Sequence, residues 1–377
     1  MLKVSYKNSS IEMKICIIDE IANCSFYLAK GLGERGHEVL VLLDRQKFRK
    51  RFRFTQETPK NVRVKWLSPL PIRPRAFGIA YPLIKEILQF KPQIIHVHYL
   101  WSQLFLSQIV AWRLKVPIVG VGHGWEVLIV PHSRIRGPIQ RIFLRKIDKV
   151  ILTADYYLEE LDTVPEHKKI YLPRIIDTET FNPNIDASEI VAKYGENIIT
   201  FTARLFKIKS PYTVLYAFRL VLDQIPDANI IFIGKGPERK GMEKLVKKLH
   251  MSENVHFLGE IPNSEVGKYL NASKVETRGF QPRIVELGIS QLESLASGTP
   301  IVTYYPKGDV PGVVHAFDPQ SISQALIKVL TNHKFRHELS QKGRNFVVKE
   351  LSVQAGVQKT LQLYAEIFKR RGILRGG

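Results

Sequence analysis

The sequence predicts an α/β protein built from two doubly wound domains, and three observations carry that expectation. Short apolar runs alternate with helix-period segments from Met13 onward. The alternation pauses near Asn184 to Glu196 and then restarts. The 377 residues are enough for two domains, each with its own core.

Strand–helix alternation implies parallel strands joined by right-handed crossovers. KICII is a buried run, SFYLAKGLGERG a helix with one apolar side, Gly36 a stop, and VLVLL a second strand. PQIIHVHYL, PIVGVGHG, KVILTA and KKIYLP follow as strands, with the helix SQLFLSQIVAWRLK between the first two. After the pause, NIITFTA, NIIFIGKGPE, NVHFLGEI and TPIVTYY read as strands. SPYTVLYAFRLVLDQI, SEVGKYLNAS and a segment around Ile289 to Ser297 read as helices. The expected division is 1–185 and 186–352, with a terminal amphipathic helix over 353–371 packing back on the first domain. Ligands of open α/β sheets sit beyond the C-terminal ends of the strands. Two such domains are expected to face one central cleft with those ends.

Apolar residues make up 45% and charged residues 24%, a globular balance that excludes a disordered chain. No run reaches the ~18 apolar residues that would span a bilayer. The opening MLKVSYKNSSIEMKICIIDE lacks the apolar region and cleavage site of a secretory signal, so a cytoplasmic location is expected. Cys16 and Cys24 fit no zinc spacing and read as core thiols.

Charge is the unusual feature. Lys and Arg total 56 against 35 Asp and Glu, a net +21 that attracts polyanions. Two segments concentrate it. Arg45 to Lys60 holds seven basic residues, Arg49, Lys50, Arg51 and Arg53 among them, and one acid. His132 to Lys149 mixes six cations, including Arg141 and Arg145, with Ile135, Ile139, Ile142, Phe143, Leu144 and Ile147. The second pattern suits a basic amphipathic segment lying on an anionic membrane; a solvated helix face is the alternative. Basic residues are not interleaved with aromatics near the predicted strand ends, which argues against a nucleic-acid partner.

Candidate chemistry sits at the strand ends. Arg204 and Lys209 flank a loop entering a helix, where cations and helix amides stabilise an anion that gains charge during a reaction. Gly288 allows close backbone approach ahead of a helix, and Glu293 within that helix suits the hydroxyls of a ribose. His123, between two glycines, suits a sugar hydroxyl or a phosphate. His96 and His98 share one strand face; without a converging third ligand they read as structural or cleft-lining residues rather than a metal pair. GKGPE, with Gly234 and Gly236, is a strand-end turn open to a base or phosphate.

Taken together, ERGHEVLVL, PQIIHVH, GHGWE, IIDTETFNP, ARLFKIKS, IGKGPE, NVHFLGEIP, ISQLESLASGTPIV and LYAEIFKRR resemble the GT-B retaining glycosyltransferases of family 4, the group 1 type. The resemblance runs from Met13 over nearly the whole chain. It implies two Rossmann-like domains, an acceptor-binding first and a donor-binding second. It implies that Arg204 and Lys209 hold the diphosphate of a nucleotide sugar, that Glu293 holds the ribose, and that His123 touches the transferred sugar. Gly288 supplies backbone near that sugar, and Gly234, Gly236, Ile261 and Ile289 complete the donor pocket. No metal or other cofactor is implied, since the two cations take that role. Three departures stand out. Val285 occupies the place of the first acid of the family's E-x7-E motif, with Glu286 one position late as its candidate replacement. DEIANCS replaces the usual glycine pair after the first strand, and PRIIDTETF carries Arg174 and Ile175 where Asn-Gly is usual. A glycan or lipid-linked acceptor follows from the basic first domain. A sugar-nucleotide epimerase, or a binder of nucleotide sugars or glycans without catalysis, are the competing readings.

Overall fold

The computed structural model describes residues 5–7, 10–19, 23–44, 58–67, 80–279, 287–305 and 308–373. The chain forms two compact units, Met1–Ile175 with Val353–Gly377, and Ile176–Ser352.

A short antiparallel pair, β1 (Ser5–Lys7) and β2 (Ser10–Glu12), precedes the main sheet of the first unit. That sheet contains β3 (Lys14–Asp19), β4 (Glu38–Asp44), β5 (Val62–Leu67), β6 (Ile94–His98), β7 (Ile118–Gly122), β8 (Lys149–Leu152) and β9 (Lys169–Tyr171). Its order is β5-β4-β3-β6-β7-β8-β9, with every pairing parallel. Winding therefore reverses between β3 and β6, the switch point at which such sheets open a crevice. β3, β6 and β7 are buried almost throughout, which is why they read as continuous apolar runs rather than alternating ones.

The terminal helix Val353–Arg370 belongs to this first unit. Its Val353, Val357, Tyr364 and Phe368 join Ile15, Leu32 and Val41 in one core. The approach is close: a Cβ on Gly31 of the helix Asn23–Glu34 would come within 2.7 Å of Val353 and Val357. Cys16 is fully buried in β3, and burial pushes its thiol well up; the side chain of Cys24 lies outside the described residues.

The second unit repeats the plan with β10 (Ile198–Thr202), β11 (Asn229–Ile233), β12 (Val255–Gly259), β13 (Val275–Thr277), β14 (Ile301–Thr303) and β15 (Val313–His315). The parallel order β12-β11-β10-β13-β14-β15 places the reversal between β10 and β13. One face packs Phe201, Phe218 and Phe232 in the larger core. The other covers Leu292, Leu295 and Ile301.

The division differs from the expected one in a single place. Residues 176–185, assigned to the first domain by the pause in the strand pattern, fold with the second unit. Phe181 is fully buried beside Val266 and Leu270, and Arg344 holds the carbonyls of Thr178 (3.0 Å) and Phe181 (2.8 Å). The pause marks the end of the packing segment rather than its start. Strands β1, β2, β5, β13 and β15 were not read from the sequence. β5 alternates buried Val62 and Leu67 with exposed or half-exposed Arg63, Val64, Lys65 and Trp66, and so lacks the apolar run of its neighbours.

Candidate active site

In the second unit, two loops close over the end of β10. Arg204 is exposed, its guanidinium 5.4 Å from the centre of the Phe206 ring. Lys209 ends a short 3-10 turn, Lys207–Lys209, and Ser210 adopts a left-handed conformation (φ 49°) before the helix Pro211–Leu222 begins. Proline at the first helical position costs no hydrogen bond there. The GKGPE turn packs directly on this loop. Leu205 donates its N–H to Lys235 O (3.0 Å), and Glu238 donates to Leu205 O (3.2 Å). A Cβ on Gly234 would overlap Ala203 O, one on Gly236 would overlap Leu205 O, and Gly234 holds φ +140°. The fold thus brings Gly234 and Gly236 to the loop that carries Arg204.

Across the switch point, the end of β13 carries a residue that sequence reasoning passed over. Arg278 is only 2% exposed. It donates to the Thr202 carbonyl, to Ser290 Oγ (2.5 Å) and, through Nε, to Glu276 Oε1 (3.2 Å). Ser290 Oγ also donates to Thr202 O (2.8 Å). A guanidinium cannot shed its charge, so burial obliges it to collect acceptors. Glu276 is its buried partner; burial pushes that carboxyl up to about 7, while Arg278, the Thr202 backbone and, least, Lys209 draw it down. A Cβ on Gly279 would come within 2.6 Å of Ser210. The strand end bearing Arg278 therefore abuts the loop bearing Lys209.

The helix Ile289–Ala296 starts over this cluster. Gly288 has an ordinary negative φ, so backbone freedom does not require glycine there; a Cβ would sit 3.3 Å from Arg278 Nη1, close enough that the guanidinium would have to give slightly. The Gly288 N–H donates to Gln291 Oε1 (3.0 Å). Glu293 faces inward at 6% exposure and is not a solvated helical acid. Burial pushes it up to about 7, with Arg278 opposing and Asp177 adding to the shift. Ile261 and Ile289 pack together against the smaller core of this unit. Glu286 and Val285 lie outside the described residues.

The first unit gathers a different set. His123 directly follows β7 and is partly exposed. Its backbone N–H donates to Glu126 Oε1 (2.6 Å). Its carbonyl accepts from Tyr157 Oη (3.4 Å) and Arg174 Nη2 (3.5 Å). The ring lies 16° from the plane of His98, with His98 Nδ1 and His123 Nε2 2.9 Å apart. His98 in turn stacks on His96, whose Nδ1 is 2.6 Å from Tyr364 Oη on the terminal helix. Burial holds His98 down to about 3 and His96 and His123 well below the usual imidazole range; neighbouring imidazoles add to both of the latter, and Arg174 to His123. Near neutral pH the row is therefore uncharged.

Glu126, Glu276, Arg278 and Ser290 were the residues missed, while Arg174 was singled out only as a departure and given no role. Glu126 stood inside a quoted motif, GHGWE, and its charge there was the available signal. Nothing local distinguishes Arg278 from the other cations of the chain.

The basic segments are partly visible. The helix Arg136–Leu144 leaves Ile139 and Ile142 exposed beside Arg141, with exposed Ile135 before it and Arg145 after it. The helix Ser102–Leu114 packs alongside through Phe105 on Phe143 (4.0 Å) and leaves Ile109 and an 81% exposed Trp112 outward. Lys149 drops out of this set, being largely buried and paired with Glu366 at 2.8 Å. Arg49, Lys50, Arg51 and Arg53 lie outside the described residues. No helix among the described residues is long and apolar enough to cross a membrane.

Comparison with known proteins matches the two halves separately. Residues 21–180 match the Glycosyltransferase Family 4 description, and residues 185–346 match Glycosyl transferases group 1. The N-acetyl-alpha-D-glucosaminyl L-malate synthase of Bacillus anthracis is 22% identical over 91% of this chain and 92% of its own. The alpha-monoglucosyldiacylglycerol synthase of Acholeplasma laidlawii is 24% identical over 78% of this chain and 79% of its own. The crystal structure of Anabaena Alr3699/HepE in complex with UDP and glucose superposes with a TM-score of 0.72 at 14% identity, covering 94% of this chain and all of that one. With both halves matched and the fold shared along nearly the full length, the chain belongs to the GT-B glycosyltransferases of the group 1 type.

Proposed function

We propose that this glycosyltransferase moves a hexose-type sugar from a nucleoside diphosphate sugar to an acceptor hydroxyl with retention of configuration, and that the acceptor is lipid-linked. The observation that carries the donor half is the loop of Arg204 and Lys209 packed against the Gly234–Gly236 turn at the switch point of its sheet. As the bond from the anomeric carbon to the diphosphate breaks, negative charge grows on the departing phosphate. Arg204, Lys209 and the amides opening the helix Pro211–Leu222 stabilise it more in the transition state than in the ground state. The acceptor oxygen bonds to the anomeric carbon on the face the diphosphate leaves, and its proton passes to the departing phosphate oxygen. Glu293 binds the ribose, Gly288, Ile261 and Ile289 line the donor pocket, Glu286 replaces the acid absent at Val285, and His123 hydrogen-bonds the sugar. Because the two side-chain cations neutralise the diphosphate, no metal ion is required.

The Anabaena protein was crystallised with UDP, so uridine nucleotides head the donor panel, followed by guanosine and adenosine diphosphate sugars. The test combines each donor with lipid acceptors and reads the product by anomeric proton couplings, with and without a chelator. Transfer with retained configuration that survives chelation is expected. An inverted product removes the retaining assignment, epimerised donor without transfer favours the epimerase, and loss on chelation removes the metal-free step.

The lipid half rests on the exposed Ile135, Ile139, Ile142, Ile109 and Trp112 beside Arg141 and Arg145, a mixture suited to an anionic headgroup layer. The Acholeplasma relative is named for a glucosylated diacylglycerol. Several cations at about 1 kcal/mol each give reversible attachment to an anionic leaflet, and the enzyme works at the cytoplasmic face.

A further inference from the structure

We propose that His98 is a positioning residue that fixes His123 as an Nδ1–H tautomer, so that His123 meets its ligand as a hydrogen-bond donor. The functional consequence rests on the reading above, in which His123 touches the sugar; the tautomer itself does not.

His98 Nδ1 and His123 Nε2 are 2.9 Å apart and share one proton. Either nitrogen can carry it. If His123 Nε2 did, the proton of neutral His98 would sit on its own Nε2. That atom is buried and has no hydrogen-bond partner among the described residues. Buried N–H groups without an acceptor are rare, and under-satisfied acceptors less so. The lower-energy arrangement therefore has His98 Nδ1–H donating to His123 Nε2, with the bare lone pair of His98 Nε2 left inside. Neutral His123 then carries its proton on Nδ1.

The surroundings hold the two residues in place. His98 is stacked on His96 at 5.0 Å, and His96 is bonded to Tyr364. The His123 backbone is held on its N–H by Glu126 and on its carbonyl by Tyr157 and Arg174. Burial keeps both imidazoles uncharged near neutral pH, and His98, Arg174 and His96 add to this at His123. A neutral Nδ1–H gives a proton to an oxygen of a sugar hydroxyl or phosphate and accepts none in return.

Two substitutions at one position separate the possibilities. His98→Asn places a carboxamide N–H where Nδ1 stood and preserves donation to His123. His98→Asp places an acceptor there and draws the proton of His123 onto Nε2. The readout is the ring carbon and nitrogen shifts of histidine-labelled full-length protein, with the His123 signal identified by its loss in His123→Gln. Expected are the Nδ1–H form in the unsubstituted protein and in His98→Asn, and the Nε2–H form in His98→Asp. Transfer should fall on the order of 10²-fold in His98→Asp, the scale of one lost transition-state donor, with recovery in His98→Asn. An Nε2–H tautomer of His123 in the unsubstituted protein overturns the proposal, whether or not the His98 variants fold. An unchanged tautomer in His98→Asp overturns it as well. A switched tautomer with undiminished transfer removes His123 from the sugar site instead.

Discussion

The strand ends of the two units answer burial in opposite ways. In the first, three imidazoles stack side by side, and burial drives all of them neutral, so they need no counter-charge. In the second, Arg278 keeps its charge and must be met by Glu276, Thr202 O and Ser290. The first end is a hydrogen-bonding surface indifferent to pH near neutrality. The second is an electrostatic one, with two carboxyls displaced to about 7. Sugar hydroxyls suit the former and a diphosphate suits the latter.

The largest expected effect tests whether Arg278 holds the second end together. Arg278→Met removes one member of a buried pair and should destabilise the protein by about 3–5 kcal/mol, measured by denaturant unfolding. Glu276→Gln added to it should recover most of that loss. A single substitution costing less than ~1 kcal/mol would show that the pair is replaceable. In contrast, Arg204→Ala and Lys209→Ala should leave unfolding almost unchanged, since Arg204 is exposed and Lys209 half-buried. Each should cut turnover by roughly 10²–10³, or ~2.7–4 kcal/mol. Turnover within threefold of the parent would move the diphosphate elsewhere.

Glu293→Gln should weaken nucleotide binding about tenfold, as one hydrogen bond to a charged group is removed. It also sharpens the contrast through pH. Glu293 and Glu276 have folded values raised from 4.5 to about 7. The folded state therefore holds more protons than the unfolded state across that window, and stability falls as pH rises through it. Glu293→Gln should flatten part of that fall between about pH 4.5 and 7. The histidine row contributes with another sign and position. Its lowered values favour the folded state above the normal imidazole range, a contribution lost as pH falls below 6.5 toward the folded values. A pH–stability curve unaltered by Glu293→Gln would show that its carboxyl titrates normally.

The smallest expected effect concerns the apolar face. Trp112→Ala should reduce flotation with anionic vesicles severalfold while leaving neutral vesicles unbound, and Arg141→Ala with Arg145→Ala should do likewise. Equal failure of the parent protein to float with both vesicle types at low salt would remove the membrane from the proposal.

Much of this fold was legible because its central strands are buried on both faces. KICII and NIIFI are largely apolar runs and IIHVH a buried run broken only by two histidines, each followed by a helix-period segment. β5 was not legible, since an edge strand alternates and carries Arg63 and Lys65. The loops of Arg204, Lys209, Gly234 and His123 were found because they fall at strand ends. Arg278 was not, because its importance comes from Thr202 and Ser290, which are distant in sequence. Likewise, His98 acquires its part from a loop 25 residues away. Residues 176–185 were misplaced because a break in periodicity does not reveal which core a segment such as that around Phe181 will enter.

The central claim is that Arg204 and Lys209 bind the diphosphate of a nucleotide sugar. Equilibrium binding of UDP, GDP and ADP to the parent protein and to the Arg204→Ala, Lys209→Ala double variant tests it most directly. One nucleotide should bind the parent, raising its unfolding free energy by about 2.7 kcal/mol at a hundredfold excess over Kd. The double variant should lose that stabilisation while unfolding as before in the absence of ligand. Binding of equal strength to both proteins would contradict the claim, as would the absence of binding by all three nucleotides.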